Sequence, residues 1–213
     1  MGGEITRRYI ILSDYTAAAG VAEGHYFHQD LLVASLIHAH APRRHIDVGS
    51  RIDGFVAHVA AFRPIEVIDI RPLPDTGHPN IAFLQADLME ATTLPSADSV
   101  SCLHALEHFG LGRYGDPIDP MGHRKGFANL TRMVSAGGVL YVSFHIGRSN
   151  SVAFNAHRIF HRAEILNWLP GDVSLGGFSY VDDAGKLHRD ATLKSAEGLR
   201  YGCGIYSLHK AAA

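Results

Sequence analysis

The stretch His45-Ile-Asp-Val-Gly-Ser-Arg-Ile-Asp-Gly54 joins a short apolar run to a turn that contains two glycines. Residues 45–49 have the composition of a buried strand, and Gly49 and Gly54 bracket a tight turn into a helix predicted over residues 54–62. A strand that leads through such a turn into a helix is typical of parallel sheets. The stretch therefore predicts an α/β fold.

The flanking sequence repeats this alternation of strand and helix. Helices are predicted over residues 29–41 and 123–134, and further strands over residues 65–70, 81–84, 99–103 and 138–144. Near the C-terminus, strands at 173–182 and 187–192 enclose a turn, and a last strand covers 201–210. We therefore predict a Rossmann-like open, mostly parallel sheet of about seven strands, with an antiparallel hairpin at one edge.

The composition excludes several classes of protein. The chain has 213 residues, and 19 basic residues against 21 acidic ones leave a net charge of −2, which argues against a nucleic-acid partner. No apolar stretch approaches the roughly 20 residues of a membrane span. The two cysteines, Cys102 and Cys203, lie in apolar runs and are expected to be buried free thiols. With no export signal recognised, we expect a cytoplasmic protein; the sequence does not predict its oligomeric state.

Three residues at predicted strand ends indicate a nucleoside site. Gly49 follows the first strand, where a missing Cβ lets a ligand approach the backbone. Asp69 ends the second strand, about twenty residues later, and its carboxylate can accept hydrogen bonds from both hydroxyls of a ribose. Asp87 follows the third strand, where it can meet an adenine amino group. Ligands of open α/β sheets bind at these strand ends.

The order of elements resembles the class I S-adenosylmethionine-dependent methyltransferases over roughly residues 28–146 and the closing strand. The similar segments are Asp47-Val-Gly-Ser50, Val67-Ile-Asp-Ile70, Gln85-Ala-Asp-Leu88, Leu103-His-Ala-Leu-Glu-His108 and Leu130-Thr-Arg-Met-Val-Ser-Ala-Gly-Gly-Val-Leu140. The resemblance implies S-adenosyl-L-methionine as cofactor. With this resemblance, the candidate cofactor-binding residues are Asp47, Gly49, Ser50, Arg51, Asp69, Ile70, Asp87, Leu88 and His104. It also implies one domain over residues 1–213: an N-terminal helical or lid segment (1–41), a cofactor-binding core (42–146) and C-terminal strands (147–213).

More narrowly, the chain resembles an uncharacterised bacterial family found among polysaccharide-biosynthesis genes. The segments that carry this likeness are Gly24-His-Tyr-Phe-His-Gln-Asp30, Gly110-Leu-Gly-Arg-Tyr-Gly-Asp116 and Phe154-Asn-Ala-His-Arg158. The likeness implies O-methylation of a sugar or glycan precursor. The methyl acceptor is thus expected to be a small molecule or a glycan. The candidate substrate-binding residues are Arg113, Tyr114, His123, Asn155, His157 and Arg158, and Tyr26, His28 and Asp30 are candidates for a lid.

Methyl transfer to a hydroxyl needs a base, because a sugar hydroxyl is a weak nucleophile at neutral pH. His108 lies just past the fourth strand, and the usual pKa of a histidine, near 6.5, suits that role. Asp116 is the alternative base or the group that orients the imidazole, with Asp119 as a weaker candidate. We therefore take His108 and Asp116 as the candidate catalytic residues.

The glycine turn departs from the family pattern. Arg51 and Asp53 occupy positions where the family usually has further glycines. Arg51 can pair with the methionine carboxylate of the cofactor, or it can block the pocket and leave a non-catalytic binding module. A nicotinamide-dependent oxidoreductase is disfavoured because the Gly-x-Gly-x-x-Gly turn is missing.

Fifteen histidines raise the question of a metal site. His104-x-x-Glu107-His108 matches the inverted zincin pattern, but that pattern needs a continuous helix. Here the pattern starts at a strand end and runs into a glycine-rich loop, so we disfavour a zinc protease and predict no metal site. A metal-assisted methyltransferase with Asp116, Asp119 or His123 as ligands stays open.

Overall fold

The parallel half of the sheet contains the strands that surround the glycine turn. The computed structural model describes residues 3–90, 93–153 and 156–213. The first five strands are β1 (His45–Val48), β2 (Ile65–Asp69), β3 (Ile81–Gln85), β4 (Ala97–Leu103) and β5 (Val134–Gly147). They pair in parallel in the order β3-β2-β1-β4-β5. The strand order reverses between β1 and β4, which is where open α/β sheets bind ligands.

The C-terminal strands form the antiparallel edge. They are β6 (Ser151–Ala153), β7 (His157–His161), β8 (Val173–Val181), β9 (Leu187–His188) and β10 (Gly202–Lys210). Strand β10 is antiparallel to both β5 and β8, and β9 pairs with β8 at the edge. The predicted mostly parallel sheet with an antiparallel edge is thus confirmed, with ten strands among the described residues instead of about seven.

The strand count differs for local reasons. Strands β6 and β7 have three and five residues and pair mainly with each other, so they are too short to show a periodic pattern. The strand predicted over 187–192 ends after two residues, and Asp190 has a left-handed backbone with φ of 49°, which is incompatible with extended structure.

Three α-helices accompany the sheet, namely α1 (His25–His40), α2 (Ala57–Ala60) and α3 (Gly122–Met133), and a π-helical turn over Ile52–Val56 leads into α2. Residues 3–24 contain neither helix nor strand, and the helix predicted over residues 29–41 is α1, which begins four residues earlier, at His25. Among the described residues, no helix has both the length and the apolar composition needed to cross a bilayer.

Apolar residues cover both faces of the sheet. One face packs against α1 and α2 through residues such as Val33, Ile37 and Phe55. The other packs against α3 and includes Phe144 and Trp168. Trp168 is buried, and the expected burial of Cys102 and Cys203, both free thiols, is confirmed. Burial of both faces leaves the strand ends as the place for polar chemistry.

Candidate functional site

A cleft lies at the carboxyl ends of β1 to β4, at the point where the strand order reverses. The structure brings nine of the predicted site residues together in its lining: Gly49, Asp69, Ile70, Asp87, Leu88, His104, His108, Tyr114 and Asp116. These residues come from four strand ends and from the loop after β4, so only the sheet order makes them neighbours.

Gly49 is required at the turn by both conformation and space. Its φ is +72°, a left-handed value that favours glycine. A Cβ at this position would lie 2.8 Å from the Cβ of Ala105, which also lines the cleft. The turn therefore keeps the backbone of Gly49 exposed to a ligand.

Asp47 and Ser50 do not line the cleft; they are buried and stabilise this turn through hydrogen bonds. The fully buried Asp47 carboxylate accepts hydrogen bonds from the hydroxyls of Ser50 and Ser101, both at 2.6 Å, and from the backbone N–H of Ser50 at 3.1 Å. Burial raises the pKa of Asp47 to about 6, although the hydrogen bonds from Ser101 and Ser50 oppose that shift. We expected both residues at the cofactor; their contacts instead hold β1, β4 and the turn together.

The carboxylate of Asp69 is engaged by a neighbouring arginine. The backbone N–H of Arg71 donates to Oδ1 at 2.8 Å, and its guanidinium donates to both oxygens at 3.0 and 2.6 Å. The same guanidinium lies 4.5 Å from the ring centroid of Tyr114. Arg71 thus occupies the atoms that we expected to bind ribose, and a ribose has to displace it.

Arg51 lies outside the cleft lining. Its guanidinium pairs with the exposed Asp53 at 2.9 Å and lies 5.0 Å from the ring centroid of Tyr26 on α1. The arginine in the glycine turn therefore does not fill the cleft, and its contact with a cofactor carboxylate stays a prediction.

His108 has the geometry of a neutral imidazole. Its Nδ1 donates to the carbonyl of Ala156 at 2.8 Å, which leaves the lone pair on Nε2. Burial is the main cause of a lowered pKa, so the ring is uncharged near neutral pH. Such a ring can accept a proton from a ligand in the cleft.

Asp116 stabilises the loop after β4. Its carboxylate accepts hydrogen bonds from the backbone N–H groups of Gly110 at 2.8 Å, Gly112 at 3.2 Å and Tyr114 at 3.1 Å. The nearby Asp119 pairs with Lys125 at 2.6 Å. These contacts favour a structural role for Asp116 over that of a base.

The predicted substrate residues separate into two groups. Tyr114 lines the cleft, Arg113 donates to the carbonyl of Ala156 at 2.8 Å, and the ring of His157 lies 6.1 Å from that of His108. The other group lies elsewhere. His123 packs between Phe160 and Trp168, Arg158 donates to the carbonyl of Phe109, and Asn155 lies outside the described residues.

A cluster of imidazoles next to the cleft was not predicted from the sequence. His25 at the start of α1, His104 after β4 and His145 in β5 pack ring against ring, with centroids 4.4 to 5.4 Å apart. His104 Nδ1 is 2.6 Å from the fully buried carboxylate of Glu107. Burial by itself would raise the pKa of Glu107, but the charge and hydrogen bond of His104, together with the charge of His108, lower that pKa below its usual value. No local pattern joins these histidines, because they come from three separate elements.

Solved structures with the same fold are methyltransferases and a related cyclase. The N-methyltransferase NodS from Bradyrhizobium japonicum WM9, solved with S-adenosyl-L-homocysteine, is 11% identical; 88% of each chain is covered, with a TM-score of 0.60. The 1,6-didemethyltoxoflavin-N1-methyltransferase from Burkholderia thailandensis, also with S-adenosylhomocysteine, is 14% identical, covering 86% of this chain and 78% of the other at 0.60. The [4+2]-cyclase SpnF is 15% identical, covering 86% and 82% at 0.61. The chain therefore has the class I methyltransferase fold, whose relatives bind this cofactor.

A sequence family also matches. The family model described as "Caenorhabditis protein of unknown function, DUF268" matches residues 89–197, about half of the chain. No curated protein matches the sequence. The matched region includes the strand-end residue His104 and the loop after it.

Proposed function

We propose that this chain, which belongs to the DUF268 family, is an S-adenosylmethionine-dependent methyltransferase that methylates an oxygen of a sugar or glycan precursor. The observation that carries the proposal is the cleft at the reversal of strand order, where Gly49, Asp69 and Asp87 line one wall. Solved structures with this fold that contain S-adenosylhomocysteine support the choice of cofactor.

Each part of the cofactor is proposed to contact different residues of the cleft, according to their chemistry. Gly49 presents backbone without a Cβ, so the amino-acid part of the cofactor can approach it. The Asp69 carboxylate accepts hydrogen bonds from the ribose hydroxyls once the guanidinium of Arg71 moves aside. In this proposal Ile70 and Leu88 flank the base and Asp87 accepts a hydrogen bond from its amino group, and the presence of all three in the cleft lining supports these roles.

His108 is the proposed base for the transfer. The cofactor supplies a methyl group on a sulfonium. As the acceptor oxygen forms its bond to that carbon, the carbon–sulfur bond breaks and its electron pair stays on sulfur, while the hydroxyl proton passes to Nε2 of His108. The neutral state of the His108 ring and its place in the cleft lining support this role.

The acceptor class rests on the polar loop beside His108. Tyr114, in the cleft lining, offers an aromatic face of the kind on which sugar rings stack, and Arg113 and His157, next to His108, offer hydrogen-bond donors. The proposal extends to a place in polysaccharide biosynthesis in the cytoplasm, a location that the two free thiols support.

Thermal unfolding with and without S-adenosylhomocysteine tests cofactor binding. At about 100 times its Kd the ligand adds about 2.7 kcal/mol, which raises the Tm by about 5–10 °C. We expect Asp69→Asn to lose this shift and Asp75→Asn, a carboxylate outside the cleft, to keep it. An unchanged shift in Asp69→Asn contradicts the ribose contact.

Turnover tests the base. S-adenosylhomocysteine release is measured with a panel of nucleotide sugars as acceptors. We expect His108→Gln to reduce the rate by about 10²- to 10⁴-fold with the thermal shift by S-adenosylhomocysteine retained. A rate equal to that of the wild type removes His108 as the base.

A second candidate function is a cofactor-binding module without transferase activity. The same candidate extends to a module that binds a sugar. One observation favours it: Arg71 occupies the Asp69 carboxylate, which a transferase needs for the ribose of its cofactor. The cyclase SpnF shares the fold, so the fold by itself does not require methyl transfer. A full thermal shift together with no methyl transfer to any acceptor supports this candidate.

A further inference from the structure

Three imidazoles from distant parts of the chain converge beside the cleft. His25 begins α1, His104 follows β4, and His145 lies in β5. One nitrogen of each ring lies within 4.8 Å of the others. In tetrahedral zinc sites the ligand nitrogens are about 3.4 Å apart, given Zn–N bonds of about 2.1 Å. The present separation of up to 4.8 Å is therefore at most about 1.4 Å wider than in such a site.

Two nitrogens of this cluster are buried without a partner. His104 Nε2 and His145 Nδ1 have no hydrogen-bond partner within the described residues. The side chain of His104 is only 1% exposed, so bulk water does not reach its ring. A buried polar atom left unpaired costs about 1–3 kcal/mol, and such atoms are rare in folded proteins. Their position in the cluster indicates a missing ligand.

Glu107 provides the outer contact that metal-binding histidines usually have. Its fully buried carboxylate holds Nδ1 of His104 at 2.6 Å, which fixes the ring and leaves Nε2 for the cluster. It also lies 3.8 Å from His145 Nε2. A carboxylate at this depth can balance the charge of a bound cation.

We propose that His25, His104 and His145 form a binding site for a divalent transition-metal ion of the zinc type, with Glu107 as a positioning residue. Imidazole nitrogens suit zinc, cobalt and nickel, whereas magnesium and calcium require oxygen ligands. Three histidines leave one position open, as in catalytic zinc sites. Because His104 also lines the cleft, that metal lies beside the reacting groups; this last consequence, unlike the metal site itself, rests on the proposed function.

Metal titration of the full-length, chelator-treated protein tests the site. Zinc chloride is followed by calorimetry, and cobalt chloride by the visible absorption of a tetrahedral complex. We expect one equivalent of each to bind. His25→Ala and His145→Ala should weaken zinc binding at least 100-fold, and Glu107→Gln by about 10- to 100-fold.

His40→Ala is the matched control, because His40 is exposed at the far end of α1. It should bind zinc like the wild type. Far-UV circular dichroism establishes that each variant is folded, and half-buried His25 offers a substitution that leaves the core intact. Absence of stoichiometric zinc binding, or equal affinities in His25→Ala, His145→Ala and His40→Ala, overturns the proposal.

The thermal shift with S-adenosylhomocysteine, measured on metal-free protein, reports on the proposed function separately. Zinc binding without that shift leaves the metal site standing and refutes the transferase. The shift without zinc binding refutes the metal site alone.

Discussion

Gly49→Ala tests whether the turn after β1 is held by close packing. The substitution places a Cβ on a residue with φ of +72°, 2.8 Å from the Cβ of Ala105. Gly77→Ala is the matched control, because Gly77 has φ of +63° but nothing within 4 Å of the added carbon. Both substitutions carry the same backbone strain, and only the first adds a clash.

The magnitudes follow from these two terms. A left-handed backbone costs an alanine about 1–2 kcal/mol. Carbon atoms pack best about 3.5–4.0 Å apart, so contact at 2.8 Å forces the turn or Ala105 to move, at about 1–3 kcal/mol. We therefore expect Gly77→Ala to lose about 1–2 kcal/mol and Gly49→Ala about 2–5 kcal/mol. In a chain of this length the excess of about 2 kcal/mol lowers the Tm by about 4–8 °C.

The assay is urea unfolding followed by circular dichroism, with thermal unfolding as a second measure. Ala105→Gly removes the opposing carbon, so it should recover most of the excess loss in the Gly49→Ala background and none in the Gly77→Ala background. Equal losses in Gly49→Ala and Gly77→Ala, or no recovery with Ala105→Gly, would refute the packing argument.

Three further predictions concern individual side chains. Burial lowers the pKa of His45 to about 3, below the usual 6.5, so the unfolded chain binds the extra proton and stability falls as the pH drops below 6.5. Between pH 7 and 5 the titration of His45 lowers the free energy of unfolding by about 2 kcal/mol, as measured by urea unfolding. His45→Asn should abolish this pH dependence, and the exposed control His40→Asn should keep it. Arg71→Ala removes the partly exposed ion pair with Asp69, which is worth up to about 1 kcal/mol. S-adenosylhomocysteine should then bind up to about 5-fold more tightly, as measured by calorimetry. Weaker binding in this variant would make Arg71 a cofactor contact instead. Burial raises the pKa of Cys102, so an aromatic disulfide reagent should label this thiol only after unfolding, and rapid labelling of the native protein would contradict its burial.

The wall of the cleft that we propose to hold the nucleoside could be predicted from the sequence. Gly49, Asp69 and Asp87 each follow a short apolar strand, and parallel strands end at the same edge of a sheet. The pattern that marks each strand is local, so composition and spacing were sufficient to place these residues in one cleft. The same reasoning predicted the antiparallel edge from the turn at residues 183–186.

The contacts of these residues could not be predicted, because they depend on side-chain positions. Asp47 was expected at the cofactor, but its carboxylate accepts a hydrogen bond from Ser101 on β4. That strand lies next to β1 only because of the order of strands in the sheet. Arg71 follows Asp69 by two residues, and only the folded loop shows that its guanidinium turns back onto that carboxylate.

The sequence by itself determined the class of fold and the nucleoside wall, since both follow from short-range periodicity and turn chemistry. Only the tertiary structure decided the imidazole cluster. His25 begins α1, His104 follows β4 and His145 lies in β5, and they meet because β4 and β5 pair in parallel while the start of α1 packs over their ends. Contacts between residues so far apart in the chain leave no local pattern, so the cluster becomes visible only when the chain is folded.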